Sequence, residues 1–329
     1  RNLLPHEFTH SWNGKHRRGA DLVTPDFRTP MRNSLLWVYE GQTQFWGYVL
    51  QARSGLVSVE DTLDQLATIA ATLDNRPARS WRSLDDTTND PVITPRAPKG
   101  WLSFQRSEDY YNEGLLVWLE ADAIIRRESG GKRSLDDFAR RFFGTGEGDW
   151  GVTPYDFATL VAELNAVQAF DWAGHLTQRL TEKAEGAPLK GLELAGWKLI
   201  YTDKPTHAFL DANRRQVNLL FSGGLLLGTA GKVEQVLWNS AAFAAGLQVG
   251  DVLLAVNELP FSDEALRAAV TAAAKGPNGG GTAPIRLVVK SDDRVRSVDW
   301  AWNGGLRYPR LERIGTGKTS PLEALLAAK

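Results

Sequence analysis

Apolar residues fall at helical spacing through the first half of the chain and in short alternating runs after it. From Asn33-Ser34-Leu35-Leu36 to about Arg53 the stretch is rich in apolar residues, and Gly55 follows as a stop signal, which predicts one long helix. Ser58 and Asp61 make a capping-box-like start, behind which Leu63, Leu66, Ala70 and Leu73 keep helical spacing. Residues 75–100 are rich in Pro, Asp, Thr and Arg and read as a long loop. Further helices are expected over 110–127, closed by Gly130-Gly131, over 134–143, over 153–167 with Pro154 in the first turn, and over 171–185. After Gly186 the pattern changes. Residues 233–236, 252–256 and 285–289 read as short strands, with one helix over 263–274 and a Gly-rich loop over 276–281. A domain boundary is expected near residue 188, and no internal repeat is evident.

Composition narrows the chemistry. The 329 residues are enough for two domains with cores of their own. A formal net charge of −1 gives no electrostatic case for nucleic acid or an anionic membrane as the main partner. Cysteine is absent, which removes disulfides, thiol nucleophiles and thiolate metal sites together. Any metal must then be held by His and carboxylate. No apolar run is long enough to span a bilayer, and no signal peptide is visible. The chain starts without Met, five residues before its first histidine, and reads as an N-terminally truncated fragment whose upstream part is missing.

The stretch His6-Glu7-Phe8-Thr9-His10 then takes on meaning. Positions i and i+4 share a helix face, so His6 and His10 can point two imidazoles at one ion, with Glu7 offset beside them. A catalytic zinc site wants three protein ligands and one open position. Glu40, in Leu36-Trp37-Val38-Tyr39-Glu40-Gly41, is the best third candidate, because a carboxylate among apolar residues is costly to bury unpaired. The plain alternative is a solvent-facing or Arg-paired Glu40 beside ordinary helix histidines. Asn13 and Thr43, each three residues beyond a proposed ligand, are candidate supporting partners. His16 lies off the ligand face, His175 and His207 read as structural, and Asp85-Asp86-Thr87-Thr88 reads as a solvated turn that can also line a cleft.

These residues carry a resemblance. His6-Glu7-Phe8-Thr9-His10-Ser11-Trp12-Asn13-Gly14-Lys15 followed by Leu35-Leu36-Trp37-Val38-Tyr39-Glu40-Gly41-Gln42-Thr43 resembles the glycyl aminopeptidase family of zinc metallopeptidases, distant relatives of aminopeptidase N and thermolysin. The resemblance implies one zinc ion held by His6, His10 and Glu40, with Glu7 as general base. It also implies a tyrosine in a Tyr-x-x-Gly pattern that donates to the oxyanion. Tyr111-Asn112-Glu113-Gly114 fits that pattern, and the adjacent Tyr110 is the other candidate. The family's upstream sheet, which carries the substrate-holding edge strand and the amine anchor, is not encoded here, so an incomplete cleft is expected. A periplasmic or secreted bacterial location is likewise implied.

The second part carries Asn239-Ser240-Ala241-Ala242-Phe243-Ala244-Ala245-Gly246-Leu247-Gln248-Val249-Gly250-Asp251-Val252-Leu253, which resembles the PDZ signature. In a PDZ domain a peptide adds as a strand beside the sheet. Gly223, Gly224, Leu225 and Leu226 would form its carboxylate loop and edge, and Leu266 and Val270 the helical wall. The loop departs from the usual Gly-Leu-Gly-Phe type, and a unit that simply packs on the catalytic domain is the equal alternative.

The expected architecture is therefore multidomain α+β. Residues 1–188 form a mainly helical, thermolysin-like catalytic domain lacking its upstream sheet, 189–312 a β-rich PDZ-like domain, and 313–329 a tail. The expected function is zinc-dependent removal of small N-terminal residues, glycine or alanine, from peptide or protein substrates. A zinc endopeptidase with the same site and a non-catalytic peptide-binding protein are the alternatives. Oligomeric state is left open.

Overall fold

In the computed structural model of the chain, residues 2–90, 101–146, 148, 150–275 and 283–329 are described. The Gly-rich loop expected over 276–281 and the later part of the long loop, 91–100, lie outside the described residues.

The chain opens with helix α1 (Leu3–Thr9) and a short strand β1 (Arg17–Gly19). The single helix expected over 33–53 is interrupted at Glu40, giving α2 (Leu36–Tyr39) and α3 (Gly41–Arg53). α4 (Val59–Asp74) starts as expected at Ser58, whose hydroxyl accepts the Asp61 N–H at 3.0 Å. Part of the stretch expected as loop is ordered by its own caps. Ser83 and Asp86 form a reciprocal capping box for α5 (Leu84–Thr88), so Asp85-Asp86-Thr87-Thr88 is a helix and not an open turn. One further turn, α6 (Leu102–Gln105), leads to α7 (Asp109–Glu128), the central helix of this unit.

α8 (Leu135–Phe143) follows, capped by Ser134. The helix expected from residue 153 begins later. β2 (Thr153–Tyr155) pairs in parallel with β1, which places Pro154 in a strand, and Asp156 caps α9 (Phe157–Val167) by accepting the Thr159 N–H at 2.7 Å. α10 (Trp172–Thr181) and α11 (Lys190–Leu194) complete the run. The core gathers around α3 and α7, where Trp37 and Trp118 stack with ring centroids 5.7 Å apart. Gly41 and Gly114 meet at the crossing. A Cβ on Gly41 would lie 2.7 Å from the Tyr110 carbonyl oxygen and 2.8 Å from Gly114 Cα.

The second unit is β-rich. β3 (Trp197–Thr202), α12 (His207–Ala212) and the antiparallel strands β4 (Val217–Leu219), β5 (Leu225–Leu227) and β6 (Val233–Val236) come first. α13 (Ala241–Ala244), β7 (Val252–Val256), β8 (Leu259–Pro260), α14 (Asp263–Lys275), β9 (Ile285–Ser291) and β10 (Arg294–Trp300) follow. The strands form one sheet in the order β4-β5-β6 and another in the order β10-β9-β7-β8. β11 (Tyr308–Arg313) returns to pair with β3.

The last helix, α15 (Pro321–Leu326), leaves this unit. Its Leu322, Leu325 and Leu326 are buried in the helical core, and Arg53 Nε donates to the Leu325 carbonyl at 2.8 Å. Residues 313–329 thus contain part of the first unit's core, not only a tail. No helix among the described residues is long and apolar enough to cross a membrane.

Candidate metal centre

α1 ends at Thr9 with His10 as its C-cap in helical backbone geometry, so its last turn presents His6 and His10 on one face. Their Nε2 atoms lie 3.1 Å apart, and each lies 3.3 Å from Glu40 Oε2. The three candidate ligand atoms all fall within 4.8 Å of one another, the only such group of His and carboxylate found among the described residues. Glu40 arrives from the break between α2 and α3, while α1 packs against α3. The close approach is built in by Gly47, where a Cβ would sit 3.2 Å from His6 Cβ.

The electrostatics suit a cation among these donors. Burial alone would push the Glu40 carboxyl up, but the adjacent His10 and His6 rings outweigh it and hold it below the usual carboxylate range. Burial likewise pulls His10 down, yet Glu40 and the Asn13 carbonyl outweigh it and hold the imidazole above its ordinary value. Glu40 Oε2 is buried without a hydrogen-bond partner, as is His6 Nδ1. Two imidazole nitrogens and a carboxylate oxygen converging on one point, with an orphaned oxygen among them, fit a zinc-type dication.

The support around the histidines is also local. The Asn13 carbonyl, 2.9 Å from His10 Nδ1, can only accept, so Nδ1 carries a proton and Nε2 is the atom left to bind. The Asn13 side chain, fully buried, donates to the carbonyls of Val38 and Tyr39 at 2.9 and 3.2 Å and to Thr43 Oγ1 at 3.1 Å. It staples the end of α1 to the two helices that flank Glu40. Gly14, at φ +130°, lets the Tyr39 ring close over the turn, 4.9 Å from the His10 ring. Tyr39 was not singled out from sequence; its position next to Glu40 was the available signal. Asn13→Ala is expected to weaken zinc binding about 10–100-fold, read by competition against a chelator. Thr43→Ala, which removes one of three acceptors, is expected to cost less.

Tyr111 opens α7 with its ring centroid 5.9 Å from that of His6. Burial, and then the Glu40 charge, push its phenol well above the ordinary tyrosine value, so it stays protonated. The neighbouring Tyr110 is also pushed up, by burial first and then by Glu108. Tyr111 is the one with its ring against His6 and its hydroxyl toward Glu40. Asn112 accepts from Gln44 Nε2 at 3.0 Å, fixing α7 against α3 beside the site. Glu7 is exposed on α1, and its charge reaches His10 and Tyr39.

Other sequence candidates lie elsewhere. His16 bonds the carbonyls of Thr145 and Gly151, at 3.0 and 3.2 Å. His207 pairs with Asp61, and His175 packs against Phe170 and Trp172. In the second unit, β5 has β4 on one edge and β6 on the other. The chain's own β4 therefore lies where an added peptide strand would pair. Gly223, Gly224 and Leu225 are buried, Leu226 is half-buried, and Leu266 and Val270 face the core.

Residues 1–117 match the family model described as M61 glycyl aminopeptidase. The matched segment holds all five residues of the candidate centre, from His6 to Tyr111. The chain also shares its fold with the aminopeptidase N family protein from Idiomarina loihiensis, at a TM-score of 0.74 and 17% identity over 99% of this chain. It spans 54% of that protein's length. The HtrA3 PDZ domain bound to a phage-derived ligand covers 36% of this chain at 18% identity, and 94% of that domain is matched. Its TM-score of 0.17 carries no argument. No curated protein matches the sequence.

Proposed function

We propose that this chain carries the zinc centre of an aminopeptidase acting on peptides with a small N-terminal residue, glycine foremost. What supports this reading most is the convergence of His6 Nε2, His10 Nε2 and Glu40 Oε2 inside the segment that matches the glycyl aminopeptidase family.

His6, His10 and Glu40 would hold the ion. Zinc bound there supplies Lewis-acid polarisation of the scissile carbonyl and lowers the pKa of its water toward neutrality. Glu7, one residue on from His6 and open to solvent, is placed to take the proton of the attacking water and return it to the leaving amine. Tyr111, held protonated, donates its hydroxyl hydrogen to the oxygen on which negative charge develops. The Asn13 carbonyl keeps the His10 imidazole oriented while this happens.

The test begins with metal content after dialysis. Wild type is expected to retain about one zinc per chain and Glu40→Ala far less. Glu7→Gln is expected to keep its zinc and lose hydrolysis of glycyl amides, measured on the protein that contains these 329 residues. Wild type that takes up no zinc on titration would sink the reading. Equal cleavage of N-acetylated and free glycyl peptides would replace aminopeptidase by endopeptidase.

A further inference from the structure

Three observations point to a task for the second unit inside the catalytic centre. First, its sheet edge at β5 is already paired with β4, and the Leu219 carbonyl accepts the N–H groups of Ser222 and Gly224 at 2.9 and 3.2 Å. Two donors of the loop expected to receive a peptide carboxylate, Ser222 and Gly224, are thus occupied by the chain itself.

Second, the unit grips α6. Trp238, between β6 and α13, packs on Phe104 with ring centroids 4.7 Å apart and on Trp101 at 5.3 Å. Phe243 of α13 backs both Trp101 and Trp238. The Trp238 backbone N–H donates to the buried Ser103 hydroxyl at 2.8 Å.

Third, α6 is a single turn whose flanking residues, Trp101 and Arg106, sit at φ +54° and +37°. Non-glycine residues seldom hold such angles unless their surroundings impose them. The aromatic grip imposes one. On the other side Arg106 is buried, donating to Asp109 Oδ2 at 2.8 Å, to the Arg82 carbonyl at 2.7 Å and to Glu113. Asp109 and Glu113 bracket Tyr110 and Tyr111 in the first turns of α7.

We propose that Arg106 is a positioning residue for Tyr111 and that the second unit, seated on α6 through Trp238, holds Arg106 in place. The catalytic value of this placement rests on the aminopeptidase reading above; the placement itself does not. The second unit then acts within the molecule, as a brace that sets where the tyrosine hydroxyl stands relative to Glu40.

The test replaces the seven tyrosines with 3-fluorotyrosine and follows them by fluorine NMR, with Tyr111→Phe assigning the key resonance. Trp238→Ala and Arg106→Lys are each expected to shift the Tyr111 signal toward that of a solvent-exposed fluorotyrosine. Signals from Tyr48 and Tyr155, packed elsewhere in the helical core, should stay put. Leu253→Ala weakens the second unit's core without touching the grip and serves as the destabilised control. An unmoved Tyr111 signal in a folded Trp238→Ala protein would overturn the proposal. So would an equal shift in Leu253→Ala, which would mean general loosening. If either variant at the grip fails to fold, Ser103→Ala, which removes one hydrogen bond, gives the same readout. Zinc content is measured in parallel: a chain that binds no zinc yet shows the Tyr111 shift rejects the aminopeptidase reading and keeps the brace.

Discussion

Glu113→Ala is expected to cost about 3–5 kcal/mol of folding stability, the range for removing one partner of a buried ion pair. The Glu113 side chain is 2% exposed and the Arg106 and Arg79 side chains 0% and 3%. Arg79 meets the carboxylate with two bonds of 3.0 Å, and Arg106 shares one of its oxygens. Without Glu113, Arg79 keeps only a 3.4 Å contact to the Ala184 carbonyl, far less than a buried guanidinium needs. Asp109 is left to face Arg76 and Arg106 alone. Urea unfolding gives the number. The surface pair of Arg141 and Glu163 is the comparison, where Glu163→Ala should cost no more than about 1 kcal/mol. A Glu113→Ala loss as small as the Glu163→Ala one would mean that the ion cluster is not closed to water.

Gly114→Ala comes next in size. Its new methyl would lie 2.8 Å from Gly41 Cα and 3.3 Å from the Trp37 carbonyl oxygen, contacts with backbone that cannot swing aside. α3 and α7 must separate, at about 1–3 kcal/mol for overpacking. The glycine contact lies one residue from Glu40 and three from Tyr111, so both move with it. A loss of about tenfold or more in zinc affinity is therefore expected alongside the stability change. Gly41→Ala should behave alike. Gly317→Ala, with open space at its Cβ, should stay within about 0.5 kcal/mol of wild type. Full zinc affinity in Gly114→Ala would show that the crossing does not set the position of Glu40.

This crossing also explains what could be read from the sequence. The i, i+4 histidines follow from helix geometry alone, and Glu40 betrays itself by its apolar neighbours. Tyr111 against Tyr110 is harder, since the two differ by about 100° around the helix. Gly114 stands three positions after Tyr111 and four after Tyr110 and so shares a face with both, which leaves the Tyr-x-x-Gly resemblance as the sequence's reason for Tyr111. Thr153-Pro154 misled because its partner β1 lies more than a hundred residues upstream, and a pairing at that distance leaves no local signature. The capping box at Ser83 and Asp86 was legible in principle, but the Pro- and Asp-rich surroundings masked it. Nothing local announces that α15 belongs to the first unit. Its amphipathic turn says only that it packs somewhere.

That return has a temporal side. Leu322, Leu325 and Leu326 emerge from the ribosome only after the entire β-rich unit has been made. Since domains tend to fold in order of synthesis, α3 and α7 must wait, with part of their apolar surface uncovered, until α15 arrives. A nascent chain arrested before residue 320 would carry both histidines and Glu40 and still lack the side chains that close their scaffold. Its first unit should be the protease-sensitive part, and assembly of the candidate metal centre would wait for the synthesis of α15.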